Sequence, residues 1–276
     1  MARFKKVKVD SIIKKKEKEG RGKGHGTEYI PWLTVRDVPS RGNVNRPKGW
    51  ITKRHHHLLS NLELAYFYVL EWSTIIKDIR EQFPLPLERT LEISERIGVK
   101  HPTVPGTNEP AVMTTDFLLD VYVDGHIKLF TRSVKESKEL SSKRTLEKLE
   151  IERVFWKEQG NDWGIITERD ISMALSRNVQ MIHKERYLSF YKDITENTVL
   201  QVESYLYEIV SQYTKESLST LCLHADEKLG FKPGACLTIV KHLLSTRAWE
   251  VDMNKEIDTG RPLEILYRQP FEEIMR

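Results

Sequence analysis

The sequence predicts an α/β fold in which a mixed sheet with flanking helices is followed by a mainly helical C-terminal region. The order hairpin, helix, strand between Thr114 and Thr167 predicts a βαβ crossover, because a helix is the usual connection between parallel strands. The order helix, turn, helix, strand, loop, strand from Ser217 to Arg268 is typical of a winged helix. The predicted domains are a basic flexible tail (1–20), an α/β domain (21–169) and a winged-helix-like domain (170–276).

The composition indicates a globular chain of 276 residues, with 39% hydrophobic and 30% charged residues. No apolar run approaches the roughly 18 residues of a membrane helix, and no apolar segment of a signal peptide follows the basic N-terminus. Cys222 and Cys236 are not spaced as a metal-binding C-x-x-C pair, so we interpret them as free thiols. We therefore expect a cytoplasmic protein without a membrane partner.

Positive charge is concentrated at the N-terminus. Residues 1–24 contain ten lysines and arginines against three acidic residues, a net charge of +7, whereas the whole chain carries +4 and the remainder therefore −3. A basic tail neutralises nucleic-acid phosphates without regard to sequence, although a solvated arm has the same composition. The slightly acidic remainder indicates that this body would need a partner to bring it to a nucleic acid.

The hairpin carries the first candidate site. Apolar residues alternate along its first strand, Asp124-Gly125 predicts a type I′ turn, and a second strand runs from Ile127 to Lys135. Alternation places the side chains of Ser133 and Lys135 on one face of the second strand. Asp116, at the start of the first strand, is placed to meet that face. An acid and a lysine on neighbouring strands hold a phosphate in several metal-dependent nucleases, and we take this pair as a hypothesis.

A second candidate is Glu63, in a helix predicted from Ser60 to about Trp72. Ser60 followed three residues later by Glu63 is the capping-box pattern, in which the glutamate only caps the helix. Glu63 also shares a helical stripe with Tyr66 and Leu70, and an inward carboxylate has to be paired or bind a metal. The spacing leaves both interpretations open.

A third acidic candidate lies in the helix predicted from Arg144 to Glu158. Glu150 stands four residues from both Leu146 and Val154 and would face inward with them. The other charges of this helix are more simply a solvated face with local ion pairs.

Three further motifs receive structural interpretations. Gly20–Gly26 lacks the G-K-[ST] ending of a phosphate loop and is interpreted as a flexible entry to the domain. His55–His57 are interpreted as a basic approach to the next helix, because adjacent histidines cannot all face one ion from a regular element. Lys241, His242 and Arg247 would point at DNA from the second helix of a winged helix, but nearby acidic residues favour protein docking over DNA reading.

The remaining predicted elements carry no candidate site residue. They are irregular surface over Tyr29–Val38 and Pro39–Gly49, helices over Leu87–Gly98, Ile171–Phe190, Asn197–Glu216, Ser217–Leu229 and Pro233–Ser245, and strands over Ile75–Phe83, Trp163–Thr167, Trp249–Met253 and Leu263–Arg268.

Hydrolysis of a phosphodiester needs an activated water and charge relief on the phosphate, and Mg²⁺ held by carboxylates supplies both. The usual nuclease pattern has an aspartate and then an acid two residues before a lysine. That second position is here Ser133, a poor metal ligand. An inward Glu63 would restore the missing carboxylate, and the Val134 backbone carbonyl would supply a further oxygen.

Several stretches resemble the TnsA family, the endonuclease subunits of heteromeric bacterial cut-and-paste transposons. In the order of the family they are Glu19–Val35 (EGRGKGHGTEYIPWLTV), His56–Leu64 (HHLLSNLEL), Asp78–Leu85 (DIREQFPL), Lys100–Pro102 (KHP), Thr115–Leu118 (TDFL), Val134-Lys135 (VK) and Arg144–Glu150 (RTLEKLE). They are distributed over about half of the chain, from Glu19 to Arg153.

The resemblance implies a restriction-endonuclease-like catalytic domain followed by a winged-helix domain. It places the catalytic residues on Glu63, Asp116 and Lys135. The implied metal is Mg²⁺, with Mn²⁺ possible, held by the two acids and the Val134 carbonyl oxygen. Ser133 stands where a family member has glutamine and is a weak further ligand.

The resemblance also implies partners. The chain would cut at the 5′ ends of a transposon in a bacterial cytoplasm, while a TnsB-type subunit cuts and joins the 3′ ends and a TnsC-type ATPase regulates both. Two alternatives stay open: a stand-alone structure-specific nuclease of the resolvase or restriction type, which cuts without partners, and a winged-helix regulator that binds DNA and never cuts.

Overall fold

The structure is a computed structural model that describes residues 2–37 and 45–274, with side chains from residue 10 onward. The chain divides into two compact units, Met1–Ile171 and Ser172–Arg276. The boundary predicted between residues 169 and 170 lies two residues from this division. Part of the irregular surface predicted over Tyr29–Gly49, residues 38–44, lies outside the described residues.

The first unit is built on a mixed four-stranded sheet. Its strands are β1 (Ile76–Pro84), β2 (Thr114–Val123), β3 (His126–Val134) and β4 (Asp162–Ile166), hydrogen-bonded in that order. The first three strands are antiparallel neighbours, and β4 runs parallel to β3. The predicted mixed sheet is confirmed, since β3 and β4 are parallel and joined through a helix.

The predicted hairpin joins β2 to β3. Asp124 and Gly125 have φ values of +53° and +81°, and a type I′ turn requires a positive φ at both central residues. The register pairs Val123 with His126 and Phe117 with Arg132. Asp116 therefore lies at the far end of the hairpin from the turn, beside the last residues of β3.

The α-helices described in this unit are α1 (Ala2–Lys18), α2 (Asn61–Trp72), α3 (Leu87–Arg96) and α4 (Lys143–Glu158). Residues from α3, α4 and the sheet form one buried apolar cluster, which consists of Leu85, Ile93, Leu118, Ile151, Phe155 and Trp156. Full burial of each such side chain stabilises the fold by about 1.5–3 kcal/mol. This cluster therefore fixes α4 against the sheet.

Helix α1 occupies most of the predicted flexible tail, residues 1–20. No glycine or proline interrupts residues 2–18, and the lysines of the last turn suit the negative end of the helix dipole. The end of α1 contacts the body of the unit, because the Lys16 ammonium lies 3.2 Å from the Trp32 carbonyl oxygen and 3.4 Å from Asp37.

The prediction of irregular surface is wrong for Tyr29, Pro31 and Trp32, which are buried. Tyr29 and Trp32 are only 3% and 5% exposed. The Tyr29 hydroxyl donates to the Glu81 carbonyl, and the Trp32 N–H donates to the Gln82 carbonyl at 3.1 Å. The segment is buried because it covers the outer edge of β1, whose backbone groups need partners.

The three consecutive histidines do not act alike. His56 is fully buried, with one ring nitrogen 2.8 Å from Glu81 and the other 2.7 Å from the Thr52 hydroxyl. His55 is exposed and His57 is half-buried. The segment expected to be a basic approach to α2 therefore contains a buried contact between His56 and Glu81, which the spacing of the histidines does not reveal.

The second unit is mainly helical, as predicted. It contains α5 (Met173–Ile182), α6 (Glu196–Gln212), α7 (Leu218–Leu229), α8 (Ala235–Thr246), β5 (Trp249–Glu250), β6 (Tyr267–Arg268) and α9 (Phe271–Ile274). The helix predicted over Ile171–Phe190 already ends at Ile182 and continues as short 3-10 turns. The two predicted strands shrink to two paired residues each, because most of the chain between them forms turns and irregular loop. The winged-helix assignment stays a prediction.

Cys222 and Cys236 are buried free thiols, as the sequence predicts. Among the described residues, none of the helices combines the length and the apolar character needed to cross a membrane.

Candidate active site

Asp116 and Lys135 come together at the end of the hairpin. One Asp116 carboxylate oxygen accepts hydrogen bonds from the Lys135 ammonium and from the Val134 N–H, both at 2.7 Å. The Lys135 ammonium also donates to the Val134 carbonyl oxygen at 2.8 Å. Alternation along β3 and the hairpin register produce this contact, as expected from the sequence.

The Lys135 ammonium stays charged in this position. Burial alone would lower the pKa of Lys135, but the charge of Asp116 and the hydrogen bond to it raise the pKa above its usual value. Asp116 is itself only 9% exposed. Lys135 is therefore a fixed positive charge that is held against the buried Asp116 carboxylate.

Glu63 combines the two interpretations that the sequence left open. It belongs to the N-cap of α2, since its backbone N–H donates to the Ser60 hydroxyl oxygen at 3.1 Å, and its carboxylate accepts from the Ser60 hydroxyl and from the Leu59 N–H, both at 3.0 Å. It also faces inward, at 6% exposure. Burial first, and then the nearby charge of Asp116, raise the pKa of Glu63 to about 7.

Gln82 joins these two acids and was not predicted. Its side-chain N–H group lies 3.4 Å from Glu63 and 3.5 Å from Asp116, and its amide oxygen accepts from the Thr114 hydroxyl at 3.0 Å. Gln82 is 2% exposed. No motif in the sequence marks a glutamine within a strand as part of a site.

Glu152 is the second residue that the sequence reasoning missed. It is 5% exposed and accepts a hydrogen bond from the Ser133 hydroxyl at 2.6 Å. Burial first, and then the charge of Asp116, raise the pKa of Glu152 to about 7. Ser133 thus faces the candidate site as predicted, and its hydroxyl is engaged with a carboxylate.

Glu150 does not face the site. It forms a two-point ion pair with Arg153 at 2.7 Å, with nearly half of its side chain exposed. The inward placement assumed that Leu146 is buried, whereas Leu146 is 46% exposed. The buried stripe of α4 runs instead through Leu149 and Glu152, three residues apart.

Asp116, Lys135 and Glu152 line a cleft of about 290 Å³. Thr114 and Lys148 belong to the same lining. Lys148 is exposed and has no ion pair within the described part of the chain. The cleft thus combines carboxylates with a cation that is free to meet a phosphate.

Glu63, Asp116 and Glu152 are three buried carboxyl groups, and the Lys135 ammonium contacts Asp116. In the described part of the chain, they are not a group whose ligand atoms all lie within 4.8 Å of one another. Oxygen ligands are those that Mg²⁺ and Mn²⁺ prefer. The raised pKa values of Glu63 and Glu152 have the same origin, since neither acid has a cation of its own.

Another cluster has closer ligand atoms but a different charge balance. Atoms of His25, Asp78 and Asp120 lie within 4.8 Å of one another, the one such group among the described residues. Arg80 already pairs with both of these aspartates. Its guanidinium offsets the negative charge that would attract a metal ion.

The residues expected to point at DNA in the second unit include one buried side chain. His242 is 5% exposed, contacts the Glu185 carbonyl at 2.8 Å and packs against Phe271. The prediction is therefore wrong for His242, because this face of α8 belongs to the core of the unit.

A four-stranded mixed sheet with flanking helices, bearing an Asp–Lys pair beside a cleft, fits an endonuclease-like fold. The family model described as TnsA-like endonuclease N terminal matches residues 73–168, and the one described as TnsA endonuclease C terminal matches residues 170–253. Transposon Tn7 transposition protein TnsA of Escherichia coli is 38% identical over 257 residues, which cover 93% of this chain and 91% of that protein.

The chain belongs to the TnsA endonuclease family, and the resemblance seen in the sequence is confirmed. Asp116, Lys135 and Glu152 lie within the first matched region, and Glu63 precedes it.

Proposed function

We propose that the chain is the metal-dependent DNA endonuclease subunit of a heteromeric transposase and hydrolyses the phosphodiester bond at the 5′ ends of the transposon. The observation that carries the proposal is the 2.7 Å ion pair of Asp116 with Lys135, beside a cleft with a buried glutamate in its wall. The name of the related transposition protein from Escherichia coli supports the transposon as the substrate.

Magnesium suits the donor atoms best, with manganese as the alternative. Glu63, Asp116 and Glu152 would hold it through carboxylate oxygens, and the Val134 carbonyl would add a neutral oxygen. We assign the Ser133 hydroxyl to Glu152, to which it already donates. When bound, the ion stabilises charge on the phosphate and lowers the pKa of a bound water.

Lys135 supplies the fixed positive charge of the reaction. Its ammonium is held by Asp116 and by the Val134 carbonyl, and its raised pKa keeps it protonated at neutral pH. A positive charge aimed at the phosphate stabilises the negative charge that develops there in the transition state.

Glu152 would be the metal-binding carboxylate of the cleft wall. Its pKa of about 7 belongs to the metal-free protein, and a bound cation would lower it. The Ser133 hydroxyl orients the carboxylate in the cleft wall. Hydrolysis would leave a 3′-hydroxyl and a 5′-phosphate.

Lys148 would contact the DNA backbone. It lines the same cleft, on α4 one turn before Glu152, and its ammonium has no ion-pair partner within the described residues. A lysine in this position neutralises a phosphate of the bound strand.

The second unit would serve as a winged-helix module that docks partner proteins. Helices α7 and α8, joined through Gly230 in a left-handed conformation, precede the paired strands β5 and β6. The proposed partners are transposon-end DNA, a TnsB-type subunit that cuts and joins the 3′ ends, and a TnsC-type ATPase. Deleting residues 172–276 should abolish binding of the ATPase subunit, and retained binding would refute the docking role.

Excision assayed with the partner subunits tests the function. Asp116→Ala and Lys135→Ala should abolish cleavage of the 5′ strand and leave 3′-strand cleavage intact. Glu150→Gln is the matched control, because Glu150 is an acid of α4 outside the site. Unchanged 5′-strand cleavage in Asp116→Ala would sink the site assignment. Cleavage by the chain without partners would favour a stand-alone nuclease instead.

A further inference from the structure

Gln82 adopts a backbone conformation that is rare for its residue type. Its φ is +50°, inside strand β1. The paired residues on either side are Glu81 with Phe117 and Phe83 with Thr115, so Gln82 stands opposite Asp116. A non-glycine residue with positive φ persists in a strand only where its surroundings hold it there, and such residues cluster at functional sites.

The side chain of Gln82 reaches both metal-binding acids at once. One N–H group lies 3.4 Å from a Glu63 oxygen and 3.5 Å from an Asp116 oxygen. The Asp116 oxygen concerned is not the one that accepts from Lys135 and Val134. The Gln82 amide therefore contacts the side of the Asp116 carboxylate that faces Glu63.

One contact orients the side-chain amide of Gln82, and another holds its backbone. The Thr114 hydroxyl donates to the amide oxygen at 3.0 Å, which turns the NH₂ group towards the carboxylates. The Gln82 backbone carbonyl accepts from the Trp32 N–H, and Trp32 is itself buried. With 2% of the residue exposed, the amide has little freedom to turn away.

We propose that Gln82 is a positioning residue whose side-chain amide holds the Glu63 and Asp116 carboxylates towards each other and so prepares them to bind a divalent cation. The inference rests on the proposed function, because it takes these two carboxylates as metal ligands. Without a donor between them, two buried negative charges repel and turn apart. Groups that orient metal ligands in this way contribute strongly to metal affinity.

An amide suits this position better than a charged side chain. A lysine here would remain as a permanent cation and compete with the metal, and a glutamate would add a further negative charge. The contacts of 3.4 Å and 3.5 Å are long for N–H···O hydrogen bonds. The amide can therefore orient the carboxylates and still yield them to a divalent ion.

Binding of Mn²⁺ to the full chain, measured by electron paramagnetic resonance without DNA, tests the proposal. Gln82→Met keeps the size of the side chain and removes the amide. Gln82→Asn keeps an amide and a residue type that tolerates positive φ, but is too short to reach both acids. Both should bind Mn²⁺ about 10- to 100-fold more weakly than the wild type. Gln180→Met, an exposed glutamine in the second unit, is the matched control and should bind normally.

Two further readouts separate positioning from a merely structural role. The metal-free melting temperature of Gln82→Met should stay close to that of the wild type. In the assembled transposase, 5′-strand cleavage by this variant should recover at high Mg²⁺, because the defect lies in ion affinity. Mn²⁺ affinity that is unchanged or higher in both Gln82 variants would overturn the proposal, since the amide would then be idle or a competitor.

A second variant covers the case in which Gln82 substitutions fail to fold. Thr114→Val leaves Gln82 in place and frees its amide to turn, so Mn²⁺ should bind several-fold more weakly; unchanged binding would overturn the proposal. Asp116→Ala distinguishes failure of the proposed metal site from failure of the role assigned to Gln82. If it keeps full Mn²⁺ affinity, the proposed metal site itself fails, whereas if it alone loses affinity, only the assignment of Gln82 fails.

Discussion

Two adjacent residues of β1, Glu81 and Gln82, belong to two clusters of buried acids that differ in charge balance. Glu81, fully buried, receives the Arg54 guanidinium at 2.8 Å, His56 at 2.8 Å and the His57 N–H at 2.9 Å. The side-chain amide of Gln82, the next residue, lies near Glu63 and Asp116, and the Lys135 ammonium contacts Asp116. The first cluster is neutralised by its own side chains, and the second is not.

The pKa values record this difference. Burial alone would raise the pKa of Glu81, but His56 and Arg54 hold it well below its usual range. Burial and the charge of Asp116 raise the pKa of Glu63 and of Glu152 to about 7. A buried acid with its own cations stabilises the fold, whereas buried acids without them indicate a binding site for a cation.

We call the cluster of Glu81, Arg54 and His56 the compensated cluster. The largest effect is expected where this cluster is broken. Arg54→Met should leave Glu81 buried without its main hydrogen-bonding cation and lower the free energy of unfolding by about 3–5 kcal/mol, measured by urea denaturation at pH 7. Arg153→Met is the control, because it removes only the exposed pair with Glu150 and should change stability by less than about 1 kcal/mol. Equal effects of the two substitutions would contradict the structural role of the Glu81 cluster.

We call the acids Glu63, Asp116 and Glu152 the uncompensated cluster. Mg²⁺ should stabilise this cluster and leave the compensated cluster unaffected. At 100 times its dissociation constant, the ion should raise the free energy of unfolding at pH 8 by about 2.7 kcal/mol. Thermal unfolding with Mg²⁺ or with EDTA measures this difference, which should disappear in Asp116→Ala and persist in Glu150→Gln. Stabilisation that survives Asp116→Ala would place the ion elsewhere.

Removing an uncompensated acid should stabilise the metal-free protein at high pH. The folded-state pKa of about 7 for Glu63 and Glu152 lies above the ordinary value of 4.5. Their contribution to stability is therefore fully present below pH 4.5 and is lost as the pH rises through 7. Glu63→Gln and Glu152→Gln should match the wild type near pH 4.5 and exceed its stability by roughly 1–3 kcal/mol at pH 8, although they lose cleavage.

Denaturant unfolding in EDTA at the two pH values measures this effect. The matched control is Glu150→Gln, which removes an acid paired with Arg153 and should not stabilise the protein at pH 8. A loss of stability at pH 8 in both Glu63→Gln and Glu152→Gln would show that these acids are compensated after all.

The smallest effect is expected at the edge of the cleft. Lys148→Gln should weaken DNA binding by the assembled transposase and reduce the slope of log K against log salt concentration by about 1. Lys157→Gln, an exposed lysine of the same helix, should leave the slope unchanged. An unchanged slope in Lys148→Gln would remove Lys148 from the DNA interface.

The sequence predicts the uncompensated cluster only in part. Alternation along β3 and the Asp-Gly turn place Asp116 beside Lys135, because these features depend on local geometry. The spacing in α2 left open whether Glu63 faces inward. Glu152 was missed because Leu146 was taken as buried, which selected Glu150 instead. Gln82 joins the site through a left-handed backbone conformation within a strand, which no local sequence pattern predicts.

The compensated cluster was beyond prediction for another reason. Glu81 lies 27 residues after Arg54 and 25 after His56 along the chain, and only tertiary packing brings it to them. The three consecutive histidines drew attention to the right segment, but they gave no indication that one of them is buried against an acid.

NMR of the carboxyl groups of ¹³C-labelled glutamates during a pH titration tests whether the two clusters of buried acids differ in charge balance. Two groups, assigned through Glu63→Gln and Glu152→Gln, should titrate near pH 7 in EDTA and at lower pH in saturating Mg²⁺. The group lost in Glu81→Gln should stay ionised throughout this range and ignore the metal. If Glu63 and Glu152 titrate near pH 4.5, or fail to respond to Mg²⁺, the contrast between the two clusters is contradicted.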